Sequence, residues 1–143
     1  MSETAKKDLY KAGLIVIGNE ILSGRTQDTN TAWIGEHLTT HGIQLSEVRV
    51  VPDEENVIVH SINDMRKKYD YLFTTGGIGP THDDITAAAV ARALNLPLEE
   101  NAEAVAMLEK HYGGKKELTS NRVASCNGCL TTSNLHLVIR KEC

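Results

Sequence analysis

The sequence predicts an α/β domain on a mainly parallel sheet with helices on both faces, and three observations predict it. An uninterrupted apolar run, Ala12–Ile17, ends in Gly18, the pattern of a strand buried on both faces rather than an alternating surface strand. Strand-like and helix-like segments then alternate as βαβαβαα, an order that calls for parallel strands joined by crossover helices. Finally, a strand at Tyr71–Thr75 runs straight into Gly76-Gly77-Ile78-Gly79-Pro80, a turn rich in the residues that fix or free the backbone between a strand and a helix.

Each element follows from local pattern. Gly18–Asn30 reads as a polar loop after the first strand. Thr31–His41 carries Trp33, Ile34 and Leu38 at helical spacing, all three read as core, and Gly42 is its stop. Gln44–Val51 holds a β-branched run and reads as the second strand. Pro52–Glu55 turns into a helix at Asn56–Lys68 with Val57, Ile58, Ile62 and Met65 as its apolar stripe. After Tyr71–Thr75, an alanine-rich helix is expected at Asp84–Leu94 and another at Asn101–Tyr112, halted by Gly113-Gly114. Beyond Gly114 the texture changes to Ser, Thr, Asn and Cys, and only Leu135–Ile139 reads as strand.

Composition narrows the function. The chain has 143 residues, 41% hydrophobic and 24% charged, enough to bury a core as one domain. Residues 1–10 are expected to be a flexible lead-in, and residues 123–143 an atypical tail. No apolar run is long enough to span a bilayer and no signal-peptide pattern opens the chain, so a cytoplasmic protein with no membrane partner is expected. A net charge of −4 argues against nucleic-acid binding, which depends on Lys and Arg neutralising phosphates. A small anion remains compatible, since backbone N–H groups hold phosphate without net positive charge. Cys126-Asn-Gly-Cys129 could be half of a zinc site or a redox pair, but its ligand spacing and polar setting favour incidental cysteines.

The segment Thr74–Thr86 is the expected chemical centre. Thr75, Gly76, Gly77, Gly79, Pro80 and Thr81 lead into a helix start, where free N–H groups and the positive helix end converge at the carboxyl edge of the sheet. No Gly-Lys-Ser/Thr follows, so this is not a Walker loop. Asp83 and Asp84 stand where a carboxylate would repel phosphate unless a hard cation such as Mg²⁺ bridged them. In the blander alternative the glycines only make the turn, and Thr81 or Asp83 caps the helix. Asp53 follows the second strand at the same edge, though by sequence alone it reads better as a helix N-terminal charge. Gly18, Glu20, Asp28 and Asn30 sit in the loop after the first strand and could read a ring or ribose. Singly, each reads as a loop or cap residue. His82 is most simply a solvated loop histidine.

Taken together, Gly18–Gly24, Asp28-Thr29-Asn30, Val51-Pro52-Asp53-Glu54 and the string Thr75-Gly76-Gly77-Ile78-Gly79-Pro80-Thr81 with Asp83-Asp84-Ile85-Thr86 resemble the molybdopterin-binding (MoaB/Mog) domain. The likeness is strongest to the amino-terminal domain of the competence/damage-inducible protein A (CinA) family, over about Gly13 to Arg122. It implies a three-layer α/β/α fold, a homo-oligomer (a trimer), and a pterin or nucleotide ligand at the carboxyl edge. It also implies that Asp53 and Asp84 are the pair serving molybdopterin adenylylation or molybdenum insertion. In the CinA branch, the resemblance implies metal-dependent cleavage of ADP-ribose-like dinucleotides. Asn19 stands where that family usually has Asp. Val123–Cys143 lacks the family's arginine-rich and Ala-Pro-Gly-Phe segments, as a truncated or frame-shifted end would.

The expected function is therefore binding of molybdopterin or a nucleotide, in molybdenum cofactor biosynthesis or in Mg²⁺-dependent pyrophosphate hydrolysis. Asp84 and Asp53 would be catalytic, with Asp84 and Asp83 on the metal. The alternative is a non-catalytic molybdopterin-binding or carrier module.

Overall fold

The computed structural model describes residues 9–77, 85–100, 102, 106, 109, 110, 124–126 and 137–140. In chain order the elements are β1 (Tyr10–Ile17), α1 (Asn19–Leu22), α2 (Asn30–Thr40), β2 (Ile43–Val51), α3 (Glu55–Lys68), β3 (Tyr71–Thr75), α4 (Thr86–Leu94), β4 (Leu98–Glu100), β5 (Ala124–Cys126) and β6 (Leu137–Arg140). The main sheet has the order β2-β1-β3-β6, and β4 pairs with β5 in a separate two-stranded sheet. Strand β1 runs parallel to both β2 and β3, while β6 runs antiparallel to β3. The mainly parallel α/β fold read from the sequence is the fold observed.

The central place of β1 explains its apolar run, because Ala12, Leu14, Ile15, Val16 and Ile17 are all 3% exposed or less. A strand with a neighbour on each edge and a helix layer on each face has no side left for water. Its side chains alternate between two cores. Ile15 and Ile17 join Ile58, Ile62, Met65, Leu72, Ala89 and Val90 beneath α3 and α4. Ala12, Leu14 and Val16 join Ile34 and Leu38 of α2.

Helix boundaries carry local causes. Helix α2 is followed by Gly42 at φ +72, which turns the chain into β2. Helix α4 ends with Asn95 at φ 53, its N–H donating to the Arg92 carbonyl while Leu96 donates to Ala91. That left-handed cap needs Asn or Gly, and Pro97 prevents the helix from continuing. Of the stripe read for α3, Ile58, Ile62 and Met65 are buried, while Val57 is only partly buried against the core.

Three features differ from the sequence reading. Trp33, read as core, is 59% exposed. It sits one position from buried Ile34, and about 100° of helical rotation carries it off the packed face. The stretch read as loop after β1 contains the one-turn helix α1. Ala124–Cys126, in the polar tail, forms a strand against β4. Ala102, Ala106, Glu109 and Lys110 are helical, as the reading of that segment requires.

The edge strand β2 is tied to α3 by an ionic network. Arg49 Nη2 donates to Glu47 Oε1 at 2.6 Å and to Asp64 Oδ2 at 2.8 Å, and Lys68 Nζ reaches the same Asp64 oxygen at 3.0 Å. The Tyr69 hydroxyl donates to Glu47 Oε2 at 2.6 Å. Hydrogen bonds from Arg49 and Lys68 hold the Asp64 carboxyl down to about 2, and those from Tyr69 and Arg49 lower Glu47.

Candidate functional site

A cavity of about 210 Å³ opens at the carboxyl edge of β1 and β3, where ligands bind in open α/β sheets. Its floor is Val16, Ile17, Thr75 and Gly76, and its wall is Glu20, Ile21 and the run Thr26–Asn30. The chain is shaped there by two close approaches. Gly76 (φ +87) and Gly77 (φ +62) occupy the left-handed region, and a side chain at Gly76 would overlap the Ile17 carbonyl oxygen. At Gly77 it would overlap Thr86 Oγ1. Only glycine satisfies both demands.

Thr86 ties the glycine turn to α4. Its hydroxyl donates to the Gly76 carbonyl at 2.8 Å and its N–H to the Gly77 carbonyl at 3.2 Å. Thr86 was legible in the motif, but nothing in the sequence said that it braces the turn.

Asp53 and Asn19 hold each other across the sheet edge. Asp53 Oδ2 accepts the Asn19 N–H at 2.9 Å, and the Asp53 N–H donates to Asn19 Oδ1 at 3.4 Å. Gly18 N–H donates to the Val51 carbonyl at 3.0 Å, so the loops after β1 and β2 are laced together. Asn19 thus does positional work for Asp53, which composition and spacing could not reveal. It adds no second charge beside that carboxylate.

The remaining loop residues separate into two kinds. Glu20 folds its carboxylate back over Gly18, where a Cβ would lie 2.6 Å from Oε1. Asp28 is a helix cap as well as a wall residue, since Oδ1 accepts from the N–H groups of Asn30 (3.0 Å) and Thr31 (3.3 Å) and Oδ2 pairs with the Thr31 hydroxyl. Asn30, the first residue of α2, lines the cavity beside it.

The structure thus brings Gly18, Glu20, Asp28, Asn30, Thr75, Gly76, Gly77 and Asp53 to one edge. Gly79, Pro80, Thr81, His82, Asp83, Asp84, Cys129 and Cys143 lie outside the described residues. Among the described residues, no three His, Cys, Asp or Glu side chains cluster as a metal site. Asp53 meets one requirement of a hard cation, an oxygen ligand, through Oδ1, which has no hydrogen-bond partner among the described residues. No described helix is long and apolar enough to cross a membrane.

Comparison with known proteins places this architecture. Residues 13–138 match the family model described as "Probable molybdopterin binding domain". A protein from Caldivirga maquilingensis is 47% identical over 114 residues, which are 79% of this chain and 44% of that protein. The chain therefore spans less than half the length of this relative. The structure of the protein CinA, with unknown function, from Thermoplasma acidophilum superposes with a TM-score of 0.79 at 36% identity, covering 87% of this chain and 75% of that one. The molybdopterin biosynthesis enzyme MoaB from Thermus thermophilus shares the fold, with a TM-score of 0.56 at 24% identity over 82% of this chain and 72% of that one. The chain belongs to the molybdopterin-binding-domain family, with the fold shared by CinA and MoaB.

Proposed function

We propose that the domain binds a pterin or nucleotide at the carboxyl edge and performs metal-assisted phosphoanhydride chemistry on it. The observation that carries this reading is the laced edge itself, with a cavity, a glycine turn braced by Thr86 and a backbone-pinned Asp53. At about 210 Å³ the cavity is below the roughly 300–1,000 Å³ of sites for whole drug-sized ligands. It suits one ring system. Glu20 and Asp28 in its wall, with no Lys or Arg among the described lining residues, favour a ring rich in N–H donors, such as the amino-pyrimidinone of a pterin, over a phosphate.

The phosphates then belong to the Gly76–Thr81 amides, and Asp53 with Asp84 would hold Mg²⁺ or a similar cation, assisted by Asp83. A bound cation would neutralise phosphate charge, while the chain's residues position the ligand, a division of labour common in phosphoryl chemistry. The motifs that resemble the CinA family support pyrophosphate cleavage, and those that resemble the MoaB/Mog domain support cofactor biosynthesis. By the same resemblance the domain forms a homo-oligomer, which sedimentation would read directly.

The test is turnover of ADP-ribose, FAD and CoA with Mg²⁺, Mn²⁺ and Co²⁺, against Asp84→Ala and Asp53→Ala. Loss of about a hundredfold or more in kcat is expected for each, the scale of removing a transition-state contact. Unchanged turnover would remove both aspartates from the mechanism. Pterin binding with no nucleotide cleaved under any cation would identify a carrier module instead.

A further inference from the structure

Helix α2 presents a row of three rings on its outer face. The Trp33 and His37 rings stack at 4.8 Å with planes 9° apart, and the His37 and His41 rings lie 4.6 Å apart at 42°. All three residues are exposed, so this row is not packing the core. We propose that His37 and His41 form a two-imidazole site for a late first-row divalent ion, such as Ni²⁺, Cu²⁺ or Zn²⁺.

Two histidines at i and i+4 share one face of a helix, the spacing by which helical His pairs grip zinc. The tautomer is set correctly for His41. Its Nδ1 lies 2.8 Å from the His37 carbonyl oxygen, and since a carbonyl only accepts, Nδ1 must carry the proton. In the neutral ring that leaves Nε2 with a free lone pair. A metal-ligating histidine commonly donates its other N–H to a backbone carbonyl in this way, which fixes ring orientation and raises basicity. The Thr40 hydroxyl, 3.1 Å from the same Nδ1 and 2.7 Å from the same carbonyl, reinforces the arrangement. Stacking on Trp33 restrains the His37 ring. Two restrained imidazoles bind weakly compared with a four-ligand site, and water completes the coordination. The preference runs to borderline metals that favour imidazole, and away from Mg²⁺, which favours oxygen.

The chain contains one tryptophan, and its stack on His37 makes it a local reporter. NiCl₂ titrated into the full chain should quench Trp33 emission saturably at one ion per chain, while MgCl₂ should not. His37→Ala and His41→Ala should each weaken the Ni²⁺ response by about tenfold or more. Equal quenching in His41→Ala, or by Mg²⁺ as by Ni²⁺, would overturn the site. A second measurement needs no variant. Of the six histidines, Ni²⁺ should selectively broaden the ring resonances of His37 and His41, and broadening confined to the others would also overturn it.

Discussion

The two faces of the main sheet are built to different standards. Beneath α3 and α4, Ile58, Ile62, Met65 and Val90 are 0% exposed, and the layer is closed. On the face of α2, Trp33 is 59% exposed and Val48 and Val50 are 40% and 38% exposed, while Tyr71 and Phe73 are only half-buried. The cavity borders this second face, since Val16 and Ile21 belong to the α2 core and Asn30 begins α2, while Ile17 of the other core completes its floor. One face is therefore closed, and the other keeps the open surface on which the proposed ligand would sit.

One truncation on each face should separate the two. Ile62→Ala removes a fully buried side chain and should cost about 2–5 kcal/mol. Trp33→Ala removes a larger side chain from a mostly solvated position and should stay within about 0.5 kcal/mol. Urea denaturation followed by far-UV circular dichroism measures both. Comparable losses would mean that the α2 face is as structural as the other.

Two buried threonines sharpen the picture on the closed face and at its end. Thr74 and Thr86 are each 1% exposed. Thr74 pairs in register with Ile15 of the α3/α4 core, and its hydroxyl has no hydrogen-bond partner among the described residues. An unpaired buried hydroxyl carries its desolvation cost uncompensated, so Thr74→Val should raise stability by about 1 kcal/mol. Thr86→Val deletes the donor to the Gly76 carbonyl and should lower it by about the same amount. Opposite signs in the two melting temperatures are the expected result, and a loss in both would show that Thr74 has a hidden use.

What the sequence made legible was what local chemistry dictates. The run Ala12–Ile17 could only be a central strand, and Ile58, Ile62 and Met65 could only be a packed stripe. Gly76 and Gly77 were legible because a glycine pair ending a buried strand, followed by Gly79, Pro80 and two acids, is more than a simple cap requires. The misses share a different cause. Helical spacing says that Trp33 and Ile34 are neighbours on a helix, but the partner surface decides which one packs. The Asn19–Asp53 link joins residues 34 positions apart, and no short pattern encodes it. Ala124–Cys126 is a strand because Leu98–Glu100 pairs with it, not because its own residues favour one. Asp83 and Asp84 were legible from the charge problem at the helix start, whereas a catalytic role for Asp53 came only with the resemblance, and the roles of Asp84 and Asp53 rest on the turnover test.

The smallest effect expected is a pH dependence of the ionic network on the α3 side of edge strand β2. Asp64 is lowered from 3.8 to about 2 and Glu47 is lowered from 4.5, so both favour their ionised forms more strongly in the folded chain. A carboxyl with a depressed folded pKa adds stability above its unfolded value, and that stability is lost as pH falls through the folded one. The network should therefore weaken between about pH 4.5 and about pH 2. Tyr69 is raised above 10.0 by its bond to Glu47. Its contribution is complete below the unfolded value and fades as pH rises through the folded one. The Asp64 side chain is 38% exposed, so solvent screens the pairing and the effect stays small beside the truncations. Asp64→Asn should lower the urea midpoint slightly at pH 7 and by clearly less at pH 2, where the folded carboxyl is about half protonated. A gap undiminished at pH 2 would assign Asp64 a role other than its charge.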